Sequence, residues 1–144
     1  MLGEWRADSA GLLRAAKGLG FDFQKEHGML ANSLIGLVCL IHVLIFLAET
    51  VFYWSWGVKV FKIKPEDVED KAAAMSNQGC YNGFLVAALL LGLLYPEPAV
   101  AKAFAGYGLL CVAVAGVWGA VTVARKVLFV QTVPAVLGLA FLYL

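Results

Sequence analysis

Charged residues are scarce in this chain. They make up 15% of its 144 positions, and 11 Lys and Arg against 10 Asp and Glu leave a formal net charge of +1. That balance supplies neither a basic surface for nucleic acid nor an acidic tail for a basic partner. Cysteine is as sparse: Cys39, Cys80 and Cys111 are odd in number and lack CxxC spacing, so they read as small apolar packing residues. No nucleotide-binding glycine loop, thiol nucleophile or metal constellation occurs, and no cofactor is expected. His27 and His42 are about 22 Å apart on a continuous helix, which argues against a two-histidine metal site within helix one. The apolar runs also lack alternation, which excludes a transmembrane barrel.

Apolar residues fill the space that charge leaves. They form 62% of the sequence, and mean hydropathy is +0.82, well outside the soluble globular range. Leu34 to Tyr53, Phe84 to Tyr95 with a polar lead-in from Asn77, Ala103 to Val123, and Val127 to Leu144 each approach the ~20 residues a helix needs to cross a ~30 Å hydrocarbon layer. Helices satisfy their own backbone groups in that environment. The expected fold is an all-α membrane protein, a four-transmembrane-helix up-down bundle over residues 29–144, with an N-terminal amphipathic interfacial helix over residues 1–28.

That N-terminal stretch has no apolar core or cleavage pattern of a discarded signal, so it is expected to be retained. Leu2, Trp5, Ser9, Leu12, Leu13, Ala16 and Leu19 recur at helical spacing, with Arg6, Asp8, Arg14 and Lys17 off the stripe. Such a helix lies in the headgroup layer of the bilayer or docks on a neighbouring membrane protein. The first connection, roughly Ser55 to Ser76, holds Pro65 followed by Glu66 and Asp67, a helix start that leads into the second span. The later connections are Pro96-Glu97-Pro98 and Ala124-Arg125-Lys126. Lys and Arg divide five to six between the two membrane faces, too evenly to fix orientation.

An up-down path brings particular polar residues to one end of the bundle. Glu49 closes helix one, NQGCYN (Asn77 to Asn82) opens helix two, Thr122, Arg125 and Lys126 close helix three, and Gln131 opens helix four. His42 and Glu49 are seven residues apart, hence on one face and roughly 10 Å apart along the axis. Glu49 precedes the aromatic belt of Phe52, Tyr53, Trp54 and Trp56, so it lies below the headgroups, where a charge costs about 2.5–3.5 kcal/mol on insertion scales. His42 and Glu49 are the candidate acid and base. Asn77, Gln78, Tyr81, Asn82, Thr122, Arg125, Lys126 and Gln131 are the candidate ligand-binding residues of a one-sided polar intramembrane pocket. Structural roles compete: Glu49 paired with Arg125 or Lys126 would staple the helices, His42 could be a hydrogen-bonded core residue, Asn77 a helix cap and Tyr81 an interface residue. Glu49 is expected within reach of the Asn77–Asn82 segment and of Arg125 or Lys126.

Gly108, Val112, Ala115, Gly119 and Thr122, with Gly116 and Ala120, form a small-residue stripe on helix three that suits close packing, within the chain or against a membrane-protein partner. Pro134 removes a backbone donor and predicts a kink beside Gln131 that frees the Val130 carbonyl.

IHVLIFLAETVFY, NQGCYNGFLVAALLLGLL and AGVWGAVTVARKVLFVQTVPAVLGL resemble the four-helix bacterial membrane proteins grouped as domain of unknown function family thirteen-oh-four. The resemblance runs from about Leu34 to the C-terminus, and His42, Glu49, Asn77, Gln78, Tyr81, Asn82, Gly116, Thr122, Lys126, Gln131 and Pro134 fall where its motif residues fall. It implies a fold and no activity. Three readings stay open: a site that binds or converts a lipophilic small molecule by acid/base chemistry, a small proton-coupled carrier, or an accessory subunit of a larger membrane complex. Few polar residues stand at the other end beyond Asn32 and Ser33, which counts against a carrier.

Overall fold

The computed structural model describes residues 23–144, with side chains from Glu26 onward. The expected amphipathic stripe from Leu2 to Leu19 lies outside the described residues. Within them the chain is helical and without strands.

Helix α1 spans Phe23–Glu49. It begins eleven residues before the apolar run at Leu34, because Glu26 suits a first turn and nothing between it and Leu34 breaks a helix. Its buried stripe is Ala31, Ile35, Val38, His42 and Glu49, so the two polar residues continue an apolar seam at helical spacing. Past Glu49 the chain does not run straight on. Phe52 N–H donates to the Leu47 carbonyl at 2.8 Å, and the Phe52 carbonyl accepts from Ser55, Trp56 and Gly57, at 3.2, 2.9 and 2.9 Å. This wide π turn, Tyr53–Gly57, sets Gly57 against the Ala48 carbonyl, where any Cβ would collide.

A single helical turn, Val58–Val60, follows. It ends with Ile63 N–H on the Val58 carbonyl and Lys62 N–H on the Lys59 carbonyl, the two bonds of a Schellman cap, with Lys62 at φ 53° in the position usually given to glycine. Lys64 is extended ahead of Pro65, as a residue before proline prefers. A 3₁₀ turn, Pro65–Asp67, then opens helix α2, Val68–Leu94. The Asn77–Asn82 segment is therefore in the middle of a longer helix rather than at its start.

Helix α3, Pro98–Thr122, has proline in its first turn and Glu97 as its cap, whose carboxylate accepts from Ala99 N–H at 3.1 Å and Val100 N–H at 2.9 Å. The last helix, α4, runs Leu128–Tyr143. Its first turn, Leu128–Thr132, is π-helical and Pro134 follows it, so the irregularity expected at the proline is an extra residue wound into the turn that carries Gln131.

Helix α1 packs on α2 and α4, and α3 packs on α2 and α4. Ile35, Val38, Leu89, Leu109, Val112 and Ala135 form the centre of the core. Glycines set the close approaches. A Cβ on Gly92 would lie 2.8 Å from the Ala105 backbone, and one on Gly108 would lie 3.0 Å from Leu89. Gly116 meets Thr132 and Gln131, while Gly119 meets Val127. The small-residue stripe of α3 is thus used against α2 and α4, although Ala115 and Thr122 stay exposed. Three helices, Glu26–Glu49, Pro65–Leu94 and Pro98–Thr122, are long and apolar enough to cross a membrane, and Leu128–Tyr143 is a shorter apolar helix.

Candidate functional site

Of the candidate residues, only His42 and Glu49 are buried, with 1% and 2% of their surface exposed. His42 Nδ1 lies 2.9 Å from the Val38 carbonyl one turn earlier. A carbonyl only accepts, so Nδ1 carries a proton, and when the ring is neutral Nε2 presents its lone pair. Glu49 Oε2 accepts from Asn82 Nδ2 at 2.8 Å, and the same nitrogen donates to the Gln78 carbonyl at 3.2 Å. Both partners of that amide are acceptors, which fixes its orientation. Gly79, buried one turn before Asn82, lets α2 come close: a Cβ there would lie 2.5 Å from Thr50 Cγ2 and 3.0 Å from Glu49 Cβ.

Two atoms of this pair remain open. Among the described residues, no buried side-chain nitrogen or oxygen lacks a hydrogen-bond partner. Glu49 Oε1 and His42 Nε2 have no partner, so the thin strip of surface each residue keeps must include that atom.

The rest of the expected set is dispersed. Asn77, Gln78 and Tyr81 are exposed; Tyr81 stacks edge-on against Phe84, with ring centroids 6.0 Å apart, and Gln78 takes part only through its carbonyl. Thr122 is exposed and donates within its own helix to the Trp118 carbonyl at 2.8 Å. Gln131 is half-buried, with its Cβ against Gly116. Arg125 and Lys126 are exposed, and the expected ion pair from Glu49 to either is not formed. The ion pair among the described residues is Lys71–Asp67, at 2.9 Å on the surface. Glu49 meets the neutral amide of Asn82 instead.

Some contacts had no clear signal in the sequence. Tyr53, expected in the aromatic belt with Phe52, Trp54 and Trp56, is buried, and its hydroxyl donates to the Val68 carbonyl at 2.8 Å. Thr132 donates across to the Ala113 carbonyl at 3.1 Å. A cleft of about 490 Å³ is lined by Trp54, Val58, Pro65, Glu66, Val68, Glu69 and Asp70, and includes none of the expected site residues. Among the described residues, no group of three or more His, Cys, Asp or Glu could hold a metal ion.

Curated proteins and solved structures give no match to this chain. A family model does match, over residues 36–143, and the matched stretch contains the whole His42, Glu49, Asn82 arrangement. The chain belongs to the family described as "Protein of unknown function (DUF1304)".

Proposed function

We propose that this is a multi-pass membrane protein, a four-helix up-down bundle. Its working site is the buried face of α1 between His42 and Glu49, which binds the polar group of a lipophilic small molecule and exchanges protons with it. Glu49 and His42 are the acid/base pair, and Asn82 orients the Glu49 carboxyl. The exposed remainder of the candidate set, with Gln131, frames one end of the bundle where such a molecule enters from the bilayer.

The observation that carries this reading is the Glu49 carboxyl, 2% exposed and joined to Asn82 rather than to a cation. A structural ion pair would have supplied a partner of opposite charge, since a buried carboxylate is otherwise costly. An intramembrane ionisable group kept without that compensation points to a function. The apolar side chains exposed along the helices, among them Leu40, Leu44, Leu110, Val114 and Trp118, support a lipid surround.

The test is mass spectrometry of lipophilic compounds that copurify with the full chain in mild detergent, comparing the native protein with Glu49→Gln and His42→Leu. The glutamine of the first variant can still accept from Asn82, and the leucine of the second keeps the buried volume, so both variants should fold. A compound retained by the native protein and lost from both variants is the expected result. Identical extracts from all three proteins, each still folded, would reject the site.

A further inference from the structure

The polar atoms left uncommitted on the buried face of α1 and its partner are hydrogen-bond acceptors. Glu49 Oε1 is open, and so is the His42 Nε2 lone pair. Asn82 has no donor to spare, because Nδ2 is committed to Glu49 and to the Gln78 carbonyl, leaving Oδ1 as a third acceptor. The ring proton of His42 is committed to Val38. Tyr53, one turn beyond Glu49, has given its hydroxyl proton to Val68, and Thr50 has given its own to the Phe46 carbonyl at 2.6 Å. With Glu49 ionised, a headgroup that only accepts hydrogen bonds, such as a ketone or ester, finds no donor among these groups. A lipid phosphate or fatty-acid carboxylate meets a like charge as well.

Among the described residues, no Lys or Arg pairs with Glu49. Arg125 and Lys126 are exposed and unpaired with Glu49, and Lys71 is held by Asp67. A hydroxyl could donate to Glu49 Oε1 but would leave its charge uncompensated. An ammonium group donates and compensates together, and hydrogen bonds between charged partners are roughly twice as strong as neutral ones.

We propose that Glu49, with Asn82 and His42 beside it, is a receptor site for lipophilic amines, the ammonium seated at Glu49 Oε1 and the hydrocarbon left in the bilayer. This rests on the reading of Glu49 as a binding residue and names the class of molecule it selects.

The full chain in phosphatidylcholine nanodiscs is titrated with dodecylamine, dodecanol and dodecanoate, and with the same probes against Glu49→Gln nanodiscs to remove partition into lipid. Saturable binding of dodecylamine to the native protein, tighter than dodecanol by at least about tenfold and lost in Glu49→Gln, is the expected result. Dodecanol bound as tightly as the amine, both lost in Glu49→Gln, overturns the amine assignment and leaves the binding site standing. No probe distinguishing the native protein from the variant overturns both. Should Glu49→Gln fail to fold, competition on the native protein decides: bound dodecylamine displaced by octylamine but not by dodecanol supports the proposal, and displacement by equimolar dodecanol overturns it.

Discussion

Asn82 reaches 2.8 Å across from α2 to Glu49 on α1, and one turn earlier Gly79 presents bare backbone to the same stretch of α1. A donor and a missing side chain together decide how closely the two helices meet at the candidate site.

Removing the donor should strand the carboxyl. Asn82→Leu keeps similar volume and leaves a buried acceptor unmet, a loss of about 1–3 kcal/mol. Thermal unfolding in detergent should show the drop, and the Asn82→Leu, Glu49→Leu double variant should recover part of it. If Asn82→Leu melts like the native protein, the bond contributes nothing.

Filling the gap should push the helices apart. Gly79→Ala places a methyl 2.5 Å from Thr50 Cγ2, and overpacking of this kind costs about 1–3 kcal/mol. A methyl at Gly36 would have nothing within 4 Å, so Gly36→Ala should be neutral or stabilising by up to about 1 kcal/mol. Equal effects in the two variants would contradict this packing.

Lys62 holds φ 53° at the end of the Val58–Val60 turn. A left-handed conformation costs a side-chain-bearing residue roughly 1–2 kcal/mol, and glycine escapes it. Lys62→Gly should therefore raise the melting temperature and Lys62→Val lower it. The reverse order would mean that the cap does not persist in solution.

The up-down path is open to a labelling test. Single cysteines introduced at the exposed Glu66 and Pro96, in a background without native cysteines, should react with an impermeant maleimide from opposite faces of sealed vesicles. Reaction of both from one face would exclude four alternating spans.

Much of the helical plan was legible because it depends on spacing alone. The interval between His42 and Glu49 placed both on one face of α1, and the same face proved to be the buried one. The polar stretch NQGCYN was harder to divide, because a helix turns successive residues in different directions. Gly79 and Asn82 face α1, whereas Asn77, Gln78 and Tyr81 lie outward. Nothing in the composition announces a π turn, so the fold-back after Glu49 and the burial of Tyr53 were not readable. The choice of a neutral amide over Arg125 or Lys126 was equally hidden, since an attractive charge pair on paper carries no information about the distance between helix ends.

The cross-helix hydrogen bonds have an uneven distribution with a mechanical meaning. Asn82 to Glu49 fastens α1 to α2, Tyr53 to Val68 fastens the π turn after α1 to α2, and Thr132 to Ala113 fastens α4 to α3. Between these two hairpins the contacts include apolar ones, Gly92 on Ala105 and Gly138 beside Leu34, and the tilted rings of His27 and Phe141, 5.9 Å apart. Directional bonds resist sliding, whereas apolar surfaces can reseat in small steps, the basis of shear motion between packed helices. Any change of shape that accompanies ligand entry would then displace one hairpin along the other as a rigid body, carrying Glu49 and Asn82 together with their geometry unbroken.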